Sequence, residues 1–129
     1  MIFPNALGMG WLRTAVGVAL IAAPAAPMKL AGQQDPDAAS VLLMRTIGIR
    51  DLVLGLGTVA ACWRGEDSDT RRWLAATLAS DALDVTVSVA SLRAIGTRDG
   101  IAAAALAAIF AGGDVQALRA GSSRRTLPE

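Results

Sequence analysis

The chain has 129 residues, 12 basic and 11 acidic, with no His, no Tyr and one Cys. Apolar types make up 53% and charged types 18%, and mean hydropathy is +0.48. These values fit one domain and exclude disorder, a disulfide framework, a Cys-based zinc site, a Ser-His-Asp triad and a nucleic-acid footprint.

Four mostly apolar segments follow one another, at about 9–30, 38–63, 71–93 and 98–119, within a single domain over 1–120. Each is long enough for a helix and too long for a strand. Ala-rich composition and the lack of β-branched alternation favour helix. In the first segment, Pro24 and Pro27 are expected to bend or end the helix. A signal peptide competes there, with Arg13 as its basic region, 14–23 as its apolar core and Ala23-Pro24-Ala25 as a cleavage site. Asp35-Pro36-Asp37 offers N-cap chemistry to the second segment, and Asp67-Ser68-Asp69-Thr70 offers it to the third. A break is expected at 93–97, and Gly112-Gly113 is expected to bend or end the fourth helix. Residues 121–129 read as a flexible tail. The expected fold is all-α, an up-down four-helix bundle.

An internal repeat points to a duplicated helical hairpin. Met44-Arg45-Thr46-Ile47-Gly48-Ile49-Arg50-Asp51 recurs as Leu92-Arg93-Ala94-Ile95-Gly96-Thr97-Arg98-Asp99, with five of eight positions identical. The copies are expected to open the second and fourth helices.

Four segments of spanning length favour a transmembrane bundle. Charge placement opposes it, because the longest uncharged run, 14–28, has only 15 residues. A membrane fold therefore requires charges inside the spans that pair or meet water. Charges that fall within the proposed helices include Arg13, Arg45, Arg50, Asp51, Asp81, Asp84, Arg98, Asp99 and Asp114. Arg64, Arg71, Arg72, Arg119, Arg124 and Arg125 fall on the side of the termini, against Lys29, Arg93 and Arg98 on the other. That asymmetry predicts a multi-pass inner-membrane protein with both termini cytoplasmic. Trp11, Trp63 and Trp73 fall at helix ends, which suits interfacial anchoring.

Residues 44–56, with the spacing Arg-x-x-Gly-x-Arg-Asp-x-x-Leu-Gly-Leu, and the Ser80–Asp84 segment resemble a family of small, actinobacterial-like integral membrane proteins of four helices and unknown function. The resemblance implies a four-helix membrane fold and no particular activity.

The third segment carries the clearest chemical pattern. Thr77, Asp81, Asp84, Ser88 and Ser91 share one helical face on an otherwise apolar helix. In water this is simply the wet face of an amphipathic helix. In a membrane, buried carboxylates point to function. The second segment offers a matching face of Gly48, Asp51, Gly55, Thr58 and Cys62, whose small residues admit a close neighbour. Asp51, Asp81 and Asp84 are the candidate catalytic groups. Arg45, Arg50, Thr77, Ser88, Arg98 and Asp99 are the candidate ligand-binding residues. Arg50 or Arg45 is expected to reach Asp81 or Asp84, and Asp114 is expected near the membrane interface. Two carboxylates with different neighbours can divide acid and base roles, as isomerisation, cyclisation or ring opening of an apolar substrate requires.

No cofactor is expected. Asp-x-x-Asp is too weak a pattern to assign a metal, and Gly55-Leu56-Gly57 only mimics a dinucleotide fingerprint. Cys62 reads as a packing residue. The partners expected are the lipid bilayer, a hydrophobic small molecule, and a second copy or a membrane complex. Whether the chain is an enzyme stays open. The alternatives are a non-enzymatic accessory subunit and a small proton or cation pathway.

Overall fold

A computed structural model describes residues 5–95 and 112–119. The described residues are all-helical, with no strand. The helices are α1 (Ala6–Ala22), α2 (Ala26–Leu30), α3 (Ala38–Arg64), α4 (Asp67–Ile95) and α5 (112–119).

Local chemistry sets their ends. Asn5 caps α1 by accepting from the Gly8 N–H at 3.1 Å. Pro24 forces the residue before it out of the helical region, and Ala23 sits at φ −133°, ψ 62°. The expected 9–30 helix is therefore two pieces, α1 and the short α2 that Pro27 opens. Asp37 caps α3 as the sequence suggests, accepting from the Ser40 N–H at 2.9 Å and the Ser40 hydroxyl at 2.8 Å. Gly65 closes α3 in the left-handed region at φ 72°, where a side chain would be strained. Gly65 and Glu66 alone connect the two helices, so the expected 64–69 loop shrinks and α4 begins at Asp67, four residues early. Asp67 and Asp69 occupy its first turn, where the helix dipole favours acids.

α4 also runs to Ile95, beyond the expected break at Arg93. The second repeat copy thus starts on the end of α4, whereas Met44–Asp51 lies inside α3. Residues 92–95 and their counterparts 44–47 do not occupy equivalent places, and the rest of the second copy lies outside the described residues. Gly112 and Gly113, expected to bend or end a helix, are both helical in α5.

α1 packs antiparallel on α3 through glycines. A Cβ on Gly17 would stand 2.5 Å from the Leu52 nitrogen and 2.7 Å from the Gly48 carbonyl oxygen. One on Gly55 would stand 2.5 Å from the Thr14 hydroxyl and 2.8 Å from the Gly10 carbonyl oxygen. Gly10 and Gly17 are seven residues apart, as are Gly48 and Gly55, so both contacts fall on one seam. α4 returns antiparallel to α3, with the Trp73 ring lying over Gly57. Trp11 of α1 meets Trp63 of α3 edge-to-face at 5.9 Å, so all three tryptophans gather at one end.

The polarity of this packing is inverted. Buried among the described residues are Met9, Val59, Ala61, Leu74 and Ala117, alongside Arg13, Thr14, Asp51, Thr58, Thr77, Asp81 and Asp114. Among the described residues, thirteen large apolar side chains are exposed, including Val18, Leu42, Ile49, Val53, Leu56, Leu83 and Val87. A domain folded in water does the reverse. By length and composition, one described helix, Asp67–Ala90, can cross a membrane, and the apolar α1 is shorter than a span. The sequence anticipates four segments of spanning length.

Candidate functional site

The middle of the molecule holds a network of ion pairs. Arg13 lies near the midpoint of α1, Asp51 near that of α3 and Asp81 near that of α4. The glycine seam brings α1 close enough to α3 for the Arg13 guanidinium to reach across both helices. Its Nη1 donates to Asp51 Oδ1 and to Asp81 Oδ1, each at 3.1 Å. Its Nη2 donates to Asp81 Oδ2 at 2.5 Å and to Asp114 Oδ2 at 3.5 Å. The grip on Asp81 is bidentate, the strongest form of charge-assisted pairing. Arg13 is 2% exposed, Asp51 4%, Asp81 2% and Asp114 1%, so this part is sealed.

A second guanidinium extends the network towards the surface. Arg50 Nη1 pairs with Asp84, at 2.8 Å to Oδ1 and 2.6 Å to Oδ2. Arg50 Nη2 reaches Asp51 Oδ1 at 3.3 Å, so one oxygen of Asp51 serves both arginines. The Arg50 and Asp84 side chains are 31% and 37% exposed. Arg50 Nε is buried without a hydrogen-bond partner. Hydrogen bonds thus run unbroken from half-exposed Asp84, through Arg50, Asp51 and Arg13, to buried Asp81 and Asp114.

The candidate residues divide accordingly. Asp51, Asp81 and Asp84 come together, and Arg50 joins them by the pairing with Asp84 that the sequence suggests. Arg45 does not, because it is exposed on α3. Thr77 is buried beside Asp81, but its hydroxyl donates to the Trp73 carbonyl at 2.7 Å. Thr14 and Thr58 are spent the same way, on Gly10 at 2.8 Å and Leu54 at 2.9 Å. Ser88 is half-buried on the face of Asp81. Arg98 and Asp99 lie outside the described residues.

Two members escape the sequence reading. Arg13 is the hub, although as a single charge on an apolar N-terminal helix it resembles a signal-peptide residue. Asp114, expected at the interface, is buried against Arg13. A signal for Arg13 does exist. Gly10, Arg13, Thr14 and Gly17 are spaced 3, 1 and 3, and all four are buried on one face of α1.

Among the described residues, no group of three or more acidic or thiol side chains is arranged to hold a metal ion. A separate open groove of about 250 Å³ lies at the α1–α2 elbow, between Val16, Leu20, Pro27 and Leu30. It is apolar and contains none of the candidate residues.

No protein-family model matches the chain, and neither a curated protein nor a solved structure is detectably similar to it.

Proposed function

We propose that the chain is a four-helix, up-down integral membrane bundle that binds or converts a hydrophobic small molecule at its Asp/Arg cluster. The observation that carries this reading is the inverted polarity, with charges paired at the helix midpoints and large apolar side chains outside. A buried charge in hydrocarbon costs roughly 2.5–3.5 kcal/mol on insertion scales, so charges there are paired and retained for use. The gathered tryptophans suit a membrane interface at that end, and Arg64, Arg71 and Arg72 there support cytoplasmic termini.

Within the cluster the two ends have different duties. Arg13, Asp51, Asp81 and Asp114 form a clasp between helices. Arg50 and Asp84 are the accessible pair. An apolar molecule entering from the lipid would meet Asp84 as acid or base, with Arg50 holding its polar group. Such a pair suits isomerisation, cyclisation or ring opening. The closed Arg13 clasp favours a second reading, a non-enzymatic accessory subunit whose polar core is structural.

The experiment has two arms. Alkaline carbonate should leave the protein in the membrane fraction, and release into solution would sink the bilayer reading. Solvent extracts of the purified protein, read by mass spectrometry, should contain a hydrophobic compound that the folded Asp84→Asn variant loses. Identical extracts from both would leave the accessory-subunit reading standing.

A further inference from the structure

We propose that Asp114 is a proton-binding site: its carboxyl carries a proton at neutral pH, and that proton holds α5 against the Arg13 clasp. The inference rests on the sealed packing of the network and stands apart from the bound molecule.

Among the described residues, two guanidiniums meet four carboxylates in one hydrogen-bonded network. Arg50 and Asp84 balance each other at its half-exposed edge. In the sealed part, Arg13 faces Asp51, Asp81 and Asp114, which are 4%, 2% and 1% exposed. Negative charge is in excess there, and solvent is shut out. Carboxyl groups crowded into such a site do not all ionise, because each new negative charge is desolvated and repelled by the last. One of them keeps a proton, and the group titrates as a coupled set.

The contacts single out Asp114 as the holder. Asp51 accepts from both guanidiniums, at 3.1 Å from Arg13 and 3.3 Å from Arg50. Asp81 grips Arg13 with both of its oxygens, at 3.1 and 2.5 Å. Asp114 meets Arg13 by Oδ2 at 3.5 Å, the longest of these contacts, on an Nη2 that Asp81 already holds. Two anions on one nitrogen repel each other, whereas a neutral carboxyl can sit beside an ionised one. Among the described residues, the charged groups facing Asp114 are Arg13 of α1 and Asp81 of α4, with Asp51 and Arg50 of α3 behind Arg13. Arg119, on α5 itself, is exposed.

The proton couples to the docking of a helix. Asp114 lies on the buried face of α5, beside Gly113 and Ala117. When α5 lifts from the bundle, Asp114 meets water, regains ordinary acidity and gives up its proton. Undocking therefore releases one proton. A proton released only on opening stabilises the closed form most at low pH, and that contribution falls as pH rises.

The test uses the full chain in a detergent without ester groups, whose carbonyls would mask the band of interest. Infrared spectroscopy at neutral pH should show the carbonyl stretch of a protonated carboxylic acid. Asp114→Asn, close in shape to the neutral acid, should abolish that band, and Asp84→Asn should keep it. Hydrogen exchange of α5 peptides, read by mass spectrometry, measures the coupling. Between the ordinary Asp value of about 3.9 and neutral pH, protection of the wild type should fall about tenfold per pH unit, the slope of one released proton. In Asp114→Asn it should stay level. A wild type with no acid band at neutral pH would overturn the proposal, because the excess charge would then be met by something other than a proton. A band that survives Asp114→Asn, or vanishes in Asp84→Asn, would overturn it as well. Level protection in the wild type would overturn the link between the proton and α5.

Discussion

Replacing Arg13 by methionine should remove the centre of the network while nearly preserving the volume of the side chain. Asp51 keeps Arg50 at 3.3 Å, but Asp81 loses its bidentate partner and Asp114 its contact at 3.5 Å. Both carboxylates are at least 98% buried, so water cannot replace the guanidinium without opening the bundle. Breaking a buried pair from one side costs about 3–5 kcal/mol. At about 1.4 kcal/mol per decade, that is a 10²–10⁴-fold loss in the folding equilibrium. The assay is detergent-mediated unfolding in mixed micelles, followed by far-UV circular dichroism. Arg13→Lys keeps the charge but cannot fork onto Asp81, and should fall between wild type and methionine. Adding Asp81→Asn to Arg13→Met removes one of the two carboxyl groups left behind and should recover part of the stability, by about 0.5–3 kcal/mol of coupling. A single variant within about 1 kcal/mol of wild type would refute the clasp, since that is the scale of an exposed pair. So would a double variant whose losses simply add.

Two other predictions address the helices around the clasp. Gly17→Ala places a methyl 2.5 Å from the Leu52 nitrogen and 2.7 Å from the Gly48 carbonyl oxygen, and backbone cannot rotate away. The same micelle titration should show a loss of about 1–3 kcal/mol, as for overpacked cores, whereas Gly112→Ala, with nothing within 4 Å, should lose none. Equal effects would mean that α1 and α3 do not depend on close approach. The Asp37 carboxylate is held below its ordinary value of 3.8 by the hydrogen bonds it accepts from Ser40. A lowered carboxylate stabilises the fold fully above the ordinary value, and that contribution disappears as pH falls through the lower folded value. The Ser40 amide resonance should therefore titrate with a midpoint below 3.8, and a midpoint at or above it would remove the cap.

The faces of the long helices were legible because helical spacing is strict. Gly48, Asp51, Gly55 and Thr58 recur at intervals of three and four, and all four are buried. Thr77 and Asp81 follow the same rule on α4. Asp84 does too, yet it is half-exposed, because a face broad enough for five polar residues cannot all point at one neighbour. Helix ends depended on local chemistry. Asp37 and Pro24 could be read directly, whereas the extent of α4 could not. A stretch of Arg, Gly, Glu and Asp resembles a longer loop until Gly65 is known to turn the chain within two residues.

Pairing was harder, because sequence gives the direction of a side chain and not its partner. On α3, Arg50 lies about 100° round the helix from Asp51, towards α4, so its contact with Asp84 follows from the α3–α4 hairpin. Asp81 points elsewhere, into the space between all three long helices. The Arg13 guanidinium on α1 fills that space. Arg13 can do so because Gly10 and Gly17 flank it on the buried face, bringing the α1 backbone against α3. The glycine seam and the ion network thus require each other. Without close approach, Arg13 would not reach Asp51 and Asp81 together. Without the guanidinium, Asp81 would lose its bidentate partner and Asp51 would keep only Arg50. A pattern of small residues on one helix, read with a lone charge between them, therefore identifies the partner that spacing on the acidic helices could not.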